Sequence, residues 1–533
     1  MKTNVIAYDI GTTGIKTCLF EIDEKIKLIA SAMAGYNLYV YEDGGAEQDA
    51  DEWWDAMCST TKEVVEKTGI DVTTIEGLSF CSQMQGMVLV DKDGNAVRRP
   101  MSYMDQRGKK EIKDNFAYGL QIAGGNIIKL ARAMYHTGVS PVSVKDPVWK
   151  YKWVEANEPE NFSKAEYWLD VKEYLIGRCT NKYIMTEDSA FATLLMDKKT
   201  QDWSIPTAKM FGVNPKHLAP IIKSTDLVGG LTKIAAEELG LAKGTKVFGG
   251  GGDASLIGVG SGCVDVGDTH IYSGTSGWVS TIIDKQTVDI ITMIAAIRGA
   301  QTGKFNYFAE METSGKCLEW VKNHLALDEI GIYLKKEDVA ESIETEYTSL
   351  YQYMTSVIEE IPAGSNGVIF TPWLHGNRCP FEDPFATGMF FNIKIETGKT
   401  ELIRAVLEGI CFHKRWMLEC EEKKFKVSDK IRFVGGGALS PATCQILADI
   451  TGKTIETIED PQNVGSVGAA AIMGVGLNII PSLEKIKDFI TITGTYTPNP
   501  ANKEVYDRQY QVFKRLYKTN KKNFHMLNEI KSK

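Results

Sequence analysis

The sequence predicts an α/β protein made of two related lobes. Three observations carry that reading. Two distant segments share one pattern: VIAYDIGTTGIKTCLFEID, residues 5 to 23, and DTHIYSGTSGWVSTIID, residues 268 to 284. Each is a β-rich run, a G-T-[TS]-G turn and a second β-rich run, the signature of a hairpin rather than of a strand entering a helix. A glycine-rich join, VFGGGGDASLIGVGSG (247–262), lies between them. Both halves also alternate strand-like with helix-like stretches. The chain is therefore expected to divide into lobes 1–260 and 261–533.

The elements follow in order. After the first hairpin, LSFCSQMQGMVLVDKDGNAV (78–97) reads as two strands with a turn at Asp93-Gly94. PVWKYKWVEANEPENFSK (147–164) reads as a helix with Trp149, Trp153 and Ala156 on one face. The join itself has the composition of a flexible linker. Apolar β-formers precede it and a small, apolar segment follows it, which suits a buried strand, a tight turn and a helix. In the second half, TELIRAVLEGICFHKRWMLECEEKK (400–424) reads as a long amphipathic helix opened by Thr400. IRFVGGGALSPATCQILADITGKTIET (431–457) reads as strand, glycine turn, helix and strand, and VGSVGAAAIMGVG (464–476) as a small-residue helix suited to close packing. Tyr506, Tyr510, Phe513 and Tyr517 are spaced for one helical face, expected to be core, with a solvated lysine-bearing tail beyond.

Composition bounds the function. The 533 residues carry 60 Lys+Arg and 69 Asp+Glu, a net charge of −9, with 43% hydrophobic and 24% charged residues. That is a soluble globular profile, long enough to bury its apolar surface without staples. The acidic balance argues against a nucleic-acid-binding protein. The ten cysteines form no CxxC pair, and the seven histidines form no HxxH or HExxH, so reduced cysteines in a cytoplasmic protein are expected rather than disulfides or zinc. No run approaches the ~20 apolar residues of a membrane helix, and the MKTNVIAYDIG start reads as no signal peptide.

Several residues are candidates for chemistry. In DIGTTGIKT (9–17), a turn of small residues lets backbone N–H groups and the hydroxyls of Thr12 and Thr13 approach an anion, with Lys16 adding charge. Asp9 would repel a bare phosphate, but Mg²⁺ held between them reverses that sign. An ordinary hairpin tip has the same composition; the second copy, Ser273-Gly274-Thr275-Ser276, favours two hairpins holding a polyphosphate. The GKT triplets at 398–400 and 452–454 are not P-loops, because Ile393 and Leu447 stand where the earlier glycine is needed. Asp253, behind four glycines, is either a helix N-cap or the base that orients and deprotonates an attacking hydroxyl, and one residue can be both. VGGGALSPATCQILADI (434–450) suits an adenosine moiety lying over a turn and lacks the dinucleotide G-x-G-x-x-G spacing.

Together these motifs resemble, in order and over nearly the whole chain, the FGGY family of carbohydrate kinases within the sugar kinase, Hsp70 and actin superfamily. FTPWLHGNRCPFEDPFATGMFFNI (370–393), TELIRAVLEGICF (400–412) and EYLIGRCTNKYIMTEDSAFATLLMDKKTQDWS (173–204) are similar to stretches of the branch that phosphorylates xylulose. The resemblance implies two ribonuclease H-like lobes around a central cleft, with sugar mainly on the first lobe and ATP mainly on the second. It implies Asp253 as general base and Asp9 as the holder of Mg²⁺. Thr12, Thr13, Lys16, Gly274 and Thr275 would face the phosphates, and Gly315, Gly436, Gly437 and Ser440 would line the nucleotide site. It fits a homodimer, and it implies no membrane or nucleic-acid partner.

The sugar site departs from that branch. Its usual Q-M-H-G and W-N-D are here Gln83-Met84-Gln85-Gly86 and Tyr103-Met104-Asp105. Gln85 can donate and accept a hydrogen bond; Met104 cannot donate. Met84, Gln85, Asp105 and Asp253 remain the expected sugar contacts. A pentulose such as D-xylulose is the first expectation. Another ketose, a polyol, a sugar acid or a signalling sugar, and a non-catalytic ATP-binding regulatory protein, are the alternatives.

Overall fold

A computed structural model describes residues 2–122, 124–289, 291–325, 358 and 361–529. The chain forms two compact units. The first comprises Met1–Gly260, Ile297–Phe305 and Gly465–Phe489; the second comprises Ser261–Ala296, Asn306–Val464 and Ile490–Lys533. The expected 261–533 lobe is thus not continuous, since two of its segments fold with the first unit. The small residues of Val464–Gly476 make that return close: a Cβ on Gly468 would lie 2.2 Å from the Leu256 carbonyl oxygen.

The first unit is built on a seven-stranded sheet. Its order is Leu227–Gly230, Lys246–Phe248, Ile75–Ser82, Thr3–Ile10, Gly14–Ile22 and Ile26–Gly35, with the short strand Gly251–Gly252 also paired to Ile75–Ser82. Val5, Ile6, Ala7 and Tyr8 are all fully buried, so both faces of the strand Thr3–Ile10 are covered, and an unbroken apolar run serves it better than alternation. The helix Ala50–Thr68 packs on this sheet through Trp53, Met57 and Val64. Asp49 caps its start by accepting from the Asp51 N–H, and Gly69 ends it at φ 61. A second aromatic core gathers Phe116, Trp149, Tyr151, Trp168 and Phe211.

The second unit carries an eight-stranded sheet in the order Val288–Asp289, Ile294–Arg298, Phe305–Met311, Gly277–Ile283, Thr269–Ser273, Lys430–Val434, Thr454–Ile458 and Ile492–Tyr496. Three helices, Lys399–Glu422, Pro441–Thr451 and Lys503–Asn528, pack on one another. Tyr506, Tyr510, Phe513 and Tyr517 are buried as a stripe, the first three of them around Phe412.

Both hairpins form, antiparallel, with Asp9 opposite Lys16 in the first and Ser273 opposite Gly277 in the second. The glycine-rich join is strand, turn and helix: Lys246–Phe248, Gly251–Gly252, then Asp253–Gly260. Four expectations need correction. The helix at 147 ends at Asn157, because Pro159 has no N–H to continue it, and a separate turn spans Pro159–Phe162. Its buried face is Val148, Trp149, Tyr151 and Val154, whereas Ala156 is exposed. The helix expected to open at Thr400 starts one residue earlier, and its cap is Gly398, whose N–H donates to Glu401 Oε2 at 3.1 Å. Lys518, Lys521 and Lys522 are exposed as expected but belong to the last helix, which continues to Asn528 and buries Phe524, while Lys531 and Lys533 lie outside the described residues.

All ten cysteines are thiols, buried except for half-buried Cys58. Among the described residues no helix is long and apolar enough to cross a membrane.

Candidate active site

Strand register assembles the first half of the site. Across the first sheet, Lys16 pairs with Asp9, Asp9 with Cys81, and Cys81 with Gly251, so four strands present one row of residues. The next row, Ile10, Ser82 and Gly252, ends one residue before Asp253. Asp253 opens its helix, and its Oδ1 accepts from the N–H of Ala254 at 2.7 Å. Cys81 lies within the fields of both carboxylates. Burial pushes its thiol pKa well up, and the charges of Asp9 and Asp253 push it further. Burial also raises the pKa of Asp9, against the opposing pull of Lys16 and a hydrogen bond from Cys81.

The turn at residues 249–252 is tightly enclosed. A Cβ on Gly252 would lie 2.2 Å from Cγ and Sδ of Met84, so the absence of a side chain there lets Met84 pack against the turn. Asp188, fully buried, holds the same turn. Its Oδ2 accepts from the Gly252 N–H at 2.7 Å and from Ser255 Oγ, and its Oδ1 from Thr186 Oγ1 at 2.6 Å and the Ser189 N–H at 2.9 Å. Burial alone would raise its pKa; Lys172, 3.7 Å away, and these hydrogen bonds outweigh burial and lower it. A carboxylate this well solvated by protein dipoles stays ionised.

The first hairpin tip is braced from behind. Tyr36 donates from its hydroxyl to the carbonyls of Gly11 and Gly14, and Gly11 N–H donates to Gly14 O at 2.9 Å. Thr12 O accepts from Gln48 Nε2 at 2.6 Å, and Gln48 Oε1 accepts from Gln83 Nε2 at 3.0 Å. Gln83 N–H in turn donates to Ile10 O at 2.8 Å. The hairpin and the Gln83–Gly86 loop are thereby one hydrogen-bonded unit. Thr13 is exposed, while Thr12 and Lys16 are half-buried.

Met84 and Gln85, both half-buried, stand at this site; Asp105 lies behind them, its charge acting on Lys150, which holds the Gln85 carbonyl. Asp105 is fully buried, and its oxygens accept from the Ala46 N–H at 2.8 Å, the Arg107 N–H at 3.0 Å and the Arg107 guanidinium at 2.7 Å. Arg107 and Arg98 also meet Glu47. In this structure Asp105 is a buried member of an ionic web.

In the second unit, glycines converge on the hairpin tip at 273–277. A Cβ on Gly315 would lie 2.5 Å from Gly274 O, and the Gly315 N–H donates to that same oxygen at 2.8 Å. A Cβ on Gly435 would lie 2.7 Å from Ser273 O, and one on Gly437 2.7 Å from Ser273 Cβ. Ser273 Oγ and Ser314 Oγ are 2.7 Å apart. Gly274, Thr275, Gly315, Gly436 and Gly437 thus form one backbone-lined patch, with Thr275 exposed at its tip. Beside the 436–439 turn lies a hollow of about 280 Å³, bounded by Ala438, Leu439, Ile458, Pro461, Gln462 and Tyr496. Ser440 lies at the end of that turn. It is buried, and its Oγ caps the helix Pro441–Thr451 by accepting from the Thr443 N–H at 3.1 Å and Thr443 Oγ1 at 3.0 Å.

Sequence reading missed Cys81, Asp188 and Gly465. No local pattern marks the first two, which reach the site through strand register and a helix start. Gly465 carried a signal, a small residue at the head of a glycine-rich helix, but its neighbours across the fold were not legible.

Asp9 and Asp253 both act on Cys81 in the first unit and glycines line the hairpin tip of the second, on a fold that is that of a phosphotransferase with an alcohol group as acceptor. The chain belongs to the FGGY family of carbohydrate kinases: the family's N-terminal domain matches residues 4–260 and its C-terminal domain residues 270–477. It is 26% identical over 525 residues to the xylulose kinase of Staphylococcus epidermidis, covering 98% of each chain. It is also 26% identical over 522 residues to the gluconokinase of Bacillus subtilis, covering 96% of this chain and 95% of that one. The crystal structure of ligand-bound xylulose kinase from Lactobacillus acidophilus superimposes with a TM-score of 0.82 at 25% identity, covering 98% of this chain and 100% of that one.

Proposed function

We propose that this protein transfers the γ-phosphoryl group of ATP to a hydroxyl of a pentulose, with D-xylulose as the first candidate. The observation that carries the chemistry is Asp253 at a helix start, its turn held by Asp188 and flanked by Met84, beside the loop that bears Gln85. Asp253 accepts the acceptor hydroxyl's proton as the new P–O bond forms, which aspartate can do because that proton becomes acidic only as the bond is made. Gln85 offers the acceptor both a donor and an acceptor group. Each unit's hairpin tip offers its own donors to phosphate oxygens: the hydroxyls of Thr12 and Thr13 and the Lys16 ammonium in the first, and Thr275 with the backbone N–H groups at Gly274 in the second. Gly315, Gly436 and Gly437 let the nucleoside approach the backbone, next to the hollow at Ala438 and Leu439.

Mg²⁺ fits the residues present. It takes oxygen ligands, keeps several waters, and needs one or two carboxylates plus substrate phosphates. Asp9 is such a carboxylate: burial raises its pKa, so a cation beside it relieves the cost of its charge. Bound Mg²⁺ neutralises the charge that builds on the transferring phosphoryl group. A cytoplasmic setting belongs to the same reading and is supported by the ten thiols.

The xylulose kinases among the relatives favour a pentulose, whereas the gluconokinase at equal identity favours a sugar acid. An assay coupling ADP release to D-xylulose, D-ribulose, glycerol and D-gluconate separates them. The expected result is the highest kcat/KM with D-xylulose. Turnover only with gluconate or glycerol overturns the pentulose assignment, and no turnover with any acceptor overturns the catalytic roles given to these residues.

A further inference from the structure

The loop Gln83–Gly86 contains a residue in an unusual backbone state. Gln85 has φ 63, in the left-handed region that side chains other than glycine rarely adopt. Such a conformation persists only where surrounding groups over-determine it. Here two buried side chains do so from opposite sides of the same residue. Lys150, 0% exposed, donates from Nζ to the Gln85 carbonyl at 2.7 Å. Asp170 accepts the Gln85 N–H at Oδ2, 3.0 Å away. The two come from different elements: Lys150 from the helix Pro147–Asn157, and Asp170 from the N-cap of Val171–Thr180, where its Oδ1 accepts the Val171 N–H at 2.8 Å. The next residue is fixed as well, since a Cβ on Gly86 would lie 2.8 Å from Asp170 Oδ1.

Packing alone does not account for this arrangement. A lysine ammonium is costly to bury, and an apolar side chain of similar length would fill the same space. Burial indeed pulls the Lys150 pKa down, to about 8, against the opposing charges of Asp105, Asp170 and Asp146, with Lys145 adding to the lowering. What the ammonium does in return is grip the carbonyl of one half-buried loop residue. The direction of the Gln85 side chain follows from its φ and ψ. Released from the grip, the peptide can relax to negative φ, and the amide swings away.

We propose that Lys150 and Asp170 are positioning residues that clamp the Gln85 backbone and thereby set how the acceptor is bound. The proposal rests on reading Gln83–Gly86 as part of the acceptor site. Neither residue touches the acceptor; both act through Gln85.

The test compares Lys150→Met with Lys150→Arg in the full chain, by two readouts. The first needs no substrate: deuterium uptake of the amides at residues 83–88. Exchange about 10-fold faster there in Lys150→Met, and returned to near the parent rate in Lys150→Arg, is the expected result. The second is steady-state kinetics with the acceptor turned over best. The acceptor KM should rise about 10-fold in Lys150→Met while the ATP KM stays within about 2-fold, with Lys150→Arg intermediate. Unchanged exchange, or an acceptor KM and ATP KM that rise together, overturns the clamp. If Lys150→Met does not fold, Asp170→Asn takes its place. It keeps an oxygen for the helix cap but turns an amide donor toward the Gln85 N–H, and it should give the same pair of shifts. Faster exchange in Lys150→Met, together with a parent chain that phosphorylates no acceptor, sinks the acceptor-site reading and leaves the clamp standing.

Discussion

A methyl group on Gly465 would lie 2.9 Å from Asp9 Oδ2 and 2.8 Å from Cys81 Sγ. The head of the helix Val464–Gly476 therefore rests against the carboxylate proposed to hold Mg²⁺, although 456 residues separate the two in sequence. Both partners on the Asp9 side sit on strands, which yield little. Gly465→Ala should thus displace Asp9 rather than be absorbed. The Mg²⁺ concentration for half-maximal rate is expected to rise several-fold and kcat to fall by about 10–100-fold, the scale that attends a small misplacement of a catalytic group. A Mg²⁺ titration of the variant beside the parent chain checks this.

Asp253→Asn keeps the shape of the side chain and its acceptor for the Ala254 N–H, but loses the proton acceptor for the substrate hydroxyl. A fall in kcat of about 10²–10⁴-fold, with the ATP KM little changed, is expected. Full activity in this variant would remove Asp253 from the role of base.

Gly315→Ala tests the second unit alone. Its Cβ would meet the Gly274 carbonyl oxygen at 2.5 Å, and neither backbone can withdraw without disturbing the hairpin tip. The ATP KM should rise about 10-fold or more, with the acceptor KM nearly unchanged. Equal shifts in both would mean that this patch does not belong to the nucleotide.

Asp188→Ala leaves the buried Lys172 ammonium without one of its two carboxylate partners, and leaves the Gly252 N–H without an acceptor. Breaking a buried charged network in this way costs on the order of 3–5 kcal/mol. Ser255→Ala removes a single hydrogen bond to the same carboxylate and should cost about 1 kcal/mol. Urea unfolding of the two variants, with the slope checked for constancy, measures both.

Asp146 supplies a pH prediction. Burial raises its carboxyl pKa to about 7 in the native state, against the Ser143 N–H bond and the charge of Lys150. The native state therefore holds a proton that the unfolded chain has released above about pH 4. Its contribution to stability is complete below the unfolded value and is lost as pH rises through 7. Asp146→Asn removes that slope. Between pH 5 and 7 the unfolding free energy of the variant should fall less steeply than that of the parent, by up to about 1.4 kcal/mol per pH unit.

Much of this architecture was legible in the residues. Val, Ile and Tyr flanking DIGTTG, and Ile and Trp flanking the second hairpin, dictate strands. The glycine run before Asp253 dictates a turn too narrow for side chains. Boundaries were less legible where one residue decides them: Pro159 ends a helix that reads as continuous, and Gly398 caps one that was expected to open at Thr400. Asp105 and Ser440 show a different limit. A motif identifies which residue stands near a site, but not whether neighbours such as Arg107 or Thr443 have already used its oxygens.

The sequence by itself determined the α/β class, both hairpins, the threonines at their tips and the aspartate behind four glycines, because each depends on residues within a few positions of one another. Only the tertiary structure decided that Asp9, Cys81 and Gly251 share one row, that Gly465 closes over Asp9, that Asp188 holds the turn before Asp253, and that Lys150 and Asp170 grip Gln85. Those relations arise from strand register and from the burial of charge between elements distant in sequence, and local spacing does not record which partner a buried charge will find.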